Sequence, residues 1–292
     1  MVKQLIRLAR PAQWLKNLFV LAPLIFAGEA RSTHAIEFAL LATAIFCLLS
    51  SSVYALNDLI DREKDQLHPL KKNRPLASGK VTVGQAGIMI GVLTVVGLVA
   101  AWFLGHTFFV VSAVFLALNL LYSLVLKNVV ILDAMGVALS FVLRAVAGAV
   151  VIGVPVSRWL LINTLLLALF LAFGKRRHEL TTLEAEAQAH RKILSRYSPY
   201  LLDQLIGITT PSVVVMYMLY TMSSEVSQKL HTENLYVTIP FVVYGIFRYL
   251  YLIHKEEKGG SPTEVLLEDR PLALTVLLWV LTCVLVLYVF TA

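Results

Sequence analysis

Charge is scarce in this chain. Only 15% of its 292 residues are charged, against about 25% in an ordinary soluble domain. Hydrophobic residues make up 58%, and mean hydropathy is +0.77. A typical soluble enzyme is excluded by that balance. So are a fibrous protein and a disordered chain, the latter needing low hydrophobicity and high charge. Cysteine is nearly absent: Cys47 and Cys283 stand most of the chain apart, each inside an apolar stretch. Neither a disulfide scaffold nor a cysteine metal site fits them, and packing accounts for both. Short-period repeats, low-complexity runs and a separable soluble domain are missing too. Acid is the scarcer sign, 18 carboxylates to 25 Lys and Arg for a net charge of +7. In a soluble protein that excess could mean nucleic acid; in a membrane chain the distribution of cations must be tested first.

What is present is apolar length. A spanning helix needs roughly 20 mostly apolar residues, and nine such stretches are expected, at 16–29, 35–57, 82–104, 106–126, 129–152, 157–174, 203–223, 235–254 and 272–290. The first is the weakest, its clean apolar run reaching only from Leu18 to Gly28 after the amphipathic LARPAQWLKN. A signal peptide would share its basic start and apolar centre, but no cleavage site follows and eight more stretches do. The expected class is therefore all-α, a polytopic membrane bundle forming one transmembrane domain over 1–292.

Twenty of the 25 cations fall on one side of the resulting topology: Lys3, Arg7, Arg10 and Lys16 first, then the loops after helices 2, 4, 6 and 8. Arg31, Arg158 and Lys229 fall on the other, while Arg144 and Arg248 lie within helices. That asymmetry predicts a cytoplasmic N-terminus and an outer C-terminus. Trp14, Trp102 and Trp159 fall near expected helix ends, as an aromatic belt requires. With no organelle signal, the chain reads as a multi-pass protein of a prokaryotic inner (plasma) membrane, its functional face cytoplasmic.

The polar chemistry concentrates in the loops at 58–81, 175–202 and 255–271. In Asn57-Asp58-Leu59-Ile60-Asp61-Arg62-Glu63-Lys64-Asp65, a continuing helix puts Asn57, Asp61 and Asp65 on one face with Asp58 beside Asp61. Such converging oxygen ligands suit Mg²⁺, which bridges a few carboxylates to substrate phosphates. The plainer reading is a solvated helix end whose acids pair with Arg62, Lys64 and the downstream lysines. The following His68-Pro69-Leu70-Lys71-Lys72-Asn73-Arg74-Pro75-Leu76-Ala77-Ser78-Gly79-Lys80 is turn-rich and cationic. Lys71, Lys72 and Arg74 could hold phosphate oxygens, or serve only as positive-inside charge; His68 could be a turn partner. Arg144, in the middle of an apolar stretch, is costly there by about 2.5–3.5 kcal/mol on insertion scales. It should face a cavity and meet an anion, whether a substrate phosphate or a carboxylate. Asp133 is about 16 Å away along the same helix, too far to be its partner on that helix. Arg248 can snorkel. Glu264 and Glu268 could bind sugar hydroxyls or a metal, or form a solvated face.

NDLIDREKD followed by HPLKKNRPLASG, with nine spans and an inward N-terminus, resembles the UbiA superfamily of intramembrane prenyltransferases, and the likeness covers essentially the whole chain. The resemblance implies a central cavity with a lateral opening for an isoprenoid chain, and a Mg²⁺–diphosphate site at Asn57, Asp58, Asp61 and Asp65. Most such enzymes carry a second acidic DxxxD after helix 6. Here Phe173-Gly174-Lys175-Arg176-Arg177-His178-Glu179-Leu180 stands instead, three cations with only Glu179 near. RPAQWLKN, GKRRHEL and PTEVLLEDRPL are similar to the polyprenyl-phosphate phosphoribosyltransferase branch. That likeness implies transfer of phosphoribose from 5-phosphoribosyl 1-diphosphate to a polyprenyl phosphate of decaprenyl type, for cell-wall precursor synthesis. Two anionic substrates account for a block of added positive charge, each phosphate monoester carrying roughly −1.5 to −2.

On this reading Asp58 and Asp61, with Lys127 and Arg144, carry the catalysis. Lys16, Lys71, Lys72, Arg74, Tyr122, Lys175, Arg176 and Glu179 bind substrate. Tyr122 and Lys127, in YSLVLKN, resemble the family's Tyr/Lys element near the reacting phosphate; an interfacial anchor and a helix-end lysine are the plainer alternatives. The resemblance implies a homo-oligomer, a trimer. The lipid bilayer is the remaining partner, and nucleic acid is not needed. A prenyltransferase joining a polyprenyl diphosphate to an aromatic acceptor shares the acidic motif but not the basic second loop. An anionic-lipid transporter would explain Arg144 but not the metal-ligand spacing.

Overall fold

A computed structural model describes residues 1–67, 71–182, 193–256 and 259–290, so His68, Arg191, Lys192 and Lys258 lie outside the described residues. In chain order the α-helices are α1 (Val2–Ala9), α2 (Ala22–Phe26), α3 (Thr33–Ile60), α4 (Arg62–Leu67), α5 (Val83–Leu104), α6 (His106–Leu124) and α7 (Leu132–Val151). They continue with α8 (Arg158–Thr182), α9 (Pro199–Thr221), α10 (Ser224–Leu230), α11 (Ile239–His254), α12 (Pro262–Glu268) and α13 (Arg270–Tyr288). Among the described residues there is no strand, and eight helices are long and apolar enough to cross a membrane: α3, α5 to α9, α11 and α13. All-α membrane architecture follows directly. With no water to satisfy the backbone, each span must close its own hydrogen bonds.

The stretch at 16–29, expected as a ninth span, is built differently. A 3-10 helix, Pro11–Val20, leads into the five-residue α2. Arg10 precedes it at φ 53° and ψ 63°, a left-handed residue that breaks the chain between α1 and the 3-10 turn. The segment lies antiparallel to α3. Trp14 Nε1 donates to Ser51 Oγ at 2.9 Å, Asn17 Nδ2 donates to Cys47 Sγ at 3.3 Å, and Leu24 shares a buried cluster with Ala35 and Ala39. A 3-10 helix rises about 2.0 Å per residue, so ten residues reach about 20 Å where an α-helix would reach about 15 Å.

Centre and periphery are told apart by burial. Of their apolar windows, α3 buries 50% and α7 56%, whereas α5 buries 11% and α6 17%. Val92, Val95, Val99 and Phe103 of α5 are accordingly exposed, an apolar face suited to lipid. Close approach at the centre depends on small residues: Ala134, Gly136, Ala138, Ala145, Ala147, Gly148 and Ala149 of α7 are all buried. Gly148 touches the first segment so tightly that an added Cβ would meet the Val20 carbonyl oxygen at 1.9 Å. One core joins Phe46, Phe108, Phe115 and Val20 between α3, α6 and the 3-10 segment, and a second joins Phe170, Phe173, Leu202 and Ile206 with Tyr249 and Ile253.

Helix starts carry local signals. Thr82 and Gln85 form a reciprocal capping box on α5, and Ser32, Ser198 and Asp269 cap α3, α9 and α13. The last helix closes on the first segment. Tyr288 Oη donates to the Ile25 carbonyl at 2.9 Å and accepts from Ala30 N–H at 3.2 Å.

Candidate active site

The acidic motif stands at the end of α3. The helix stops at Ile60, yet Asp61 N–H still donates to Asn57 O (3.0 Å) and Asp65 N–H to Asp61 O (2.8 Å). The i, i+4 ladder therefore carries through into α4, keeping Asn57, Asp61 and Asp65 in register. Beside it the RPLASG turn is locked by its own backbone. Arg74 O accepts from Ser78 N–H (2.9 Å) and Ser78 Oγ (2.8 Å), Val81 N–H donates to Pro75 O (3.0 Å), and Gly79 supplies a positive φ of 73°. Leu76 and Val81 sink into a cluster with Leu8 of α1 and Ala55 of α3. Burying Leu8 brings its neighbours Arg7 and Arg10 to the motif.

The result is a cleft of about 260 Å³ lined by Arg7, Arg10, Asp58, Lys71, Asn73, Arg74 and Pro75. Asp58 is buried, accepting from Arg10 Nη2 and, at 2.9 Å, from Arg74 Nη1. The same Arg74 nitrogen donates to Asp65 Oδ2 at 2.6 Å, so one guanidinium bridges the first and last acids of the motif. Asp61 faces elsewhere: Lys127 Nζ donates to both its oxygens, at 2.8 and 2.9 Å. Arg10 and Lys16 both stand over the Tyr54 ring, at 5.4 and 5.9 Å. Burial pushes the Arg10 guanidinium below its ordinary value, and Asp58 opposes that shift.

The plainer reading has the acids pair with Arg62, Lys64 and the downstream lysines; in the structure Asp58 and Asp65 meet Arg74, Asp58 also meets Arg10, and Asp61 meets Lys127. Arg10 was not singled out as a site residue, and neither was Arg7. The sequence marks Arg10 only as the first residue of RPAQWLKN, a likeness of the segment and not of the side chain, and Arg7 only as one of the cations at the N-terminus. Lys71 joins the cleft, whereas Lys72 is exposed beside it.

Among the described residues no three His, Cys, Asp or Glu side chains form a group able to hold an ion. Mg²⁺ needs fewer, since it commonly uses one or two carboxylates with substrate phosphates and water. The donors present are all hard oxygens, and Asn57 Oδ1 is buried without a hydrogen-bond partner. Hard-oxygen donors of the kind such an ion takes are thus present at Asn57, Asp58, Asp61 and Asp65, with Asp61 turned toward Lys127.

The basic block Lys175–Arg177, expected in a loop after the sixth span, is helical instead: it lies inside α8, which runs on to Thr182. Arg176 is buried, and its Nε donates to Asp133 Oδ2 at 2.6 Å while Nη1 donates to Glu179 Oε2 at 2.6 Å. Its Nη2 reaches Tyr122 Oη at 3.5 Å. Lys175 stands 3.7 Å from Glu179, and Arg177 Nε donates to Asp203 Oδ1 at 2.5 Å. The block is therefore not flanked by Glu179 alone: Asp133 of α7 and Asp203 of α9 reach it from distant sequence. Asp133 also accepts from Tyr197 Oη at 2.7 Å. Burial, with Asp133 adding to it, pushes the Tyr197 phenol up to about 12.

Arg144 is deeply buried and meets neutral partners. It donates to Asn17 Oδ1 (2.8 Å), Ser140 O (2.8 Å), Ser140 Oγ (2.9 Å) and Ser50 Oγ (3.3 Å), with its guanidinium over Phe115 and Phe141 at 4.8 and 5.2 Å. No side-chain carboxylate is among these contacts, so the expected ion pair is replaced by a polar and aromatic cage that ties the 3-10 segment to α3 and α7. Arg248 pairs in bidentate fashion with Asp269, the cap of α13. Glu268 borders only a 40 Å³ space with Leu252, Val265 and Asp269.

A profile of the UbiA prenyltransferase family matches residues 18–264, nearly the whole chain. This chain belongs to the UbiA prenyltransferase family. Within it, decaprenyl-phosphate phosphoribosyltransferase of Mycolicibacterium smegmatis is 35% identical over 291 residues, covering 96% of this chain and 91% of that protein. The Mycobacterium tuberculosis (strain H37Rv) protein of the same name is 33% identical over 287 residues, covering 97% and 93%. A UbiA homolog from Archaeoglobus fulgidus, solved bound to GPP and Mg²⁺, superposes with a TM-score of 0.72 at 20% identity, covering 97% of this chain and 99% of that one. That likeness supports the UbiA-type fold; the multi-pass membrane assignment follows from the family and the helices together.

Proposed function

We propose that this protein is a transferase moving 5-phosphoribose from 5-phosphoribosyl 1-diphosphate to a polyprenyl phosphate. The observation that carries this reading is the cleft where Arg7, Arg10, Lys71 and Arg74 surround the single carboxylate of Asp58. Four cations against Asp58, with Asp65 held by Arg74 alongside, leave an excess of positive charge that suits a donor with two phosphorylated ends. The relatives named above support the same donor and lipid class.

In the reaction the ribose C1–oxygen bond to the diphosphate breaks, and the diphosphate leaves with the electron pair. An oxygen of the lipid phosphate forms the new bond to C1. That oxygen is already ionised near neutral pH, so no general base is required. Mg²⁺, held by Asn57, Asp58, Asp61 and Asp65, would supply charge neutralisation for the departing diphosphate. Arg74 and Lys71 orient the donor phosphates, with Arg10 and Arg7 closing the cleft from α1. Lys127 presents its ammonium at Asp61, where it holds the acceptor phosphate beside the donor, with Lys16 and Tyr122 alongside. Arg176 and Glu179 fix the wall of the site, and Arg144 holds the first segment so that Lys16 and Arg10 face it. We further propose a single transmembrane domain in the plasma membrane, with this site facing the cytoplasm and the lipid product serving cell-wall precursor synthesis.

Purified protein with Mg²⁺, labelled 5-phosphoribosyl 1-diphosphate and a polyprenyl phosphate should yield labelled lipid, and folded Asp61→Asn protein should yield none. Prenylated product from an allylic diphosphate and an aromatic acid, with no labelled lipid, would overturn the reading. Full turnover by Asp61→Asn would remove the metal assignment.

A further inference from the structure

Between Lys127 and α7 the chain makes one unusual backbone turn. Ile131 has φ 70° and ψ −45°, a region that a β-branched residue very rarely enters. Its N–H donates to Tyr197 Oη at 2.7 Å. The same hydroxyl donates to Asp133 Oδ1 at 2.7 Å, and the other oxygen of Asp133 accepts from Arg176 Nε at 2.6 Å. Tyr197 is 5% exposed and Asp133 0%. One phenol oxygen therefore ties a strained peptide to a buried ion pair, and it comes from the segment between α8 and α9. Upstream, the 3-10 turn Leu126–Asn128 carries Lys127, itself buried and fixed at its tip by both oxygens of Asp61. The turn is pinned at two points only a few residues apart.

We propose that Tyr197 is a positioning residue: by holding Ile131 at positive φ, it aims Lys127 at Asp61 and the reacting phosphate. Without the hydroxyl the Ile131 N–H loses its acceptor, and the turn relaxes to negative φ. The 3-10 turn then rotates against α7 and draws the ammonium away. The kinetic part of this inference rests on the reading of Lys127 as the acceptor-phosphate residue; the geometric part does not.

The test compares Tyr197→Phe, Ile131→Gly and the double variant in the full-length protein. Glycine takes positive φ without strain, so it removes the need for the hydroxyl. In Tyr197→Phe, kcat/KM for the polyprenyl phosphate should fall on the order of ten- to a hundred-fold, as a misplacement near 1 Å can produce, with KM for the ribosyl donor unchanged. Ile131→Gly in the phenylalanine background should recover most of the loss. A second readout needs no turnover: acylation of Lys127 by a water-soluble succinimidyl ester, followed by mass spectrometry. Lys127 should be protected in the wild type, labelled in Tyr197→Phe and protected again in the double variant.

Wild-type kinetics and protection in Tyr197→Phe would overturn the proposal, as would a loss that Ile131→Gly fails to restore. If Tyr197→Phe does not fold, a folded double variant with Lys127 protected upholds it, and a double variant that also fails to fold overturns it. A wild type that transfers no phosphoribose refutes the function above but leaves the labelling result to decide this one.

Discussion

At the residue scale, the ion pairs divide by what lies around them. Asp133 and Arg176 are both buried, and Tyr197 and Glu179 complete their hydrogen bonds. A buried pair contributes little net stability over an apolar pair of the same size, yet removing one partner costs about 3–5 kcal/mol because a charge is stranded. Asp133→Asn should therefore lower the thermal midpoint of the detergent-solubilised protein by several degrees. The exposed Lys72→Ala should leave it within about a degree, given the near-neutral cost of most surface changes. Tyr197 adds a pH signature. Its phenol is raised to about 12 from an ordinary value near 10, so the neutral form is the one the fold favours. That contribution is complete below pH about 10 and is lost as pH rises through about 12. Tyr197→Phe should accordingly lower the midpoint equally at pH 6 and pH 9, and unequal shifts would speak against the assignment. The acids of NDxxDxxxD were legible in sequence because their spacing is local. Their partners were not, since Arg10 stands 48 residues from Asp58 and Lys127 stands 66 from Asp61. At Arg144 the sequence points to an anion as partner, and hydroxyls, an amide and two aromatic rings stand there instead.

At the element scale, the first apolar stretch explains the gap between nine expected spans and eight long helices. Hydropathy detects apolar length, and 16–29 has it only marginally. What it cannot detect is Pro11, the left-handed Arg10 and Pro23 dividing the segment into pieces that lean on α3 and α7. The segment keeps its place through contacts with no tolerance for added atoms. At Gly148 a methyl group would meet the Val20 carbonyl oxygen at 1.9 Å, and backbone cannot swing aside as a side chain would. Gly148→Ala should destabilise by roughly 1–3 kcal/mol as overpacking does, and also weaken the site, because Lys16 and Arg10 belong to the displaced segment. Gly87→Ala, with open space around its Cβ position, is the matched control and should leave both the thermal midpoint and turnover unchanged.

At the scale of the whole molecule, charge distribution and burial agree. Cations gather at the end where the acidic motif lies, and α5 and α6 turn apolar faces outward. The bundle class was readable in the sequence from composition and run length, since a bilayer permits few alternatives. The packing order of the helices was not, because apolar spans look alike and small residues decide which pairs approach. The orientation expected from the cation asymmetry has a direct check. In right-side-out vesicles a single cysteine placed at Val2, in a protein freed of Cys47 and Cys283, should resist a membrane-impermeant maleimide. One placed at Thr291 should react. The reverse pattern would invert the topology and move the site to the outer face.

The bond from Tyr288 to the Ile25 carbonyl joins residues 263 apart in the chain. During synthesis, the segment carrying Arg10 and Lys16 is made well before α13, and this fastening must wait for that helix. Until α13 enters the bilayer the α2 end of that segment lacks this hydroxyl, while Leu8, Trp14 and Asn17 already have partners in earlier elements. A nascent chain stalled before α13 would thus hold the acids and arginines of the cleft together, with the α2 end of the first segment still unfastened.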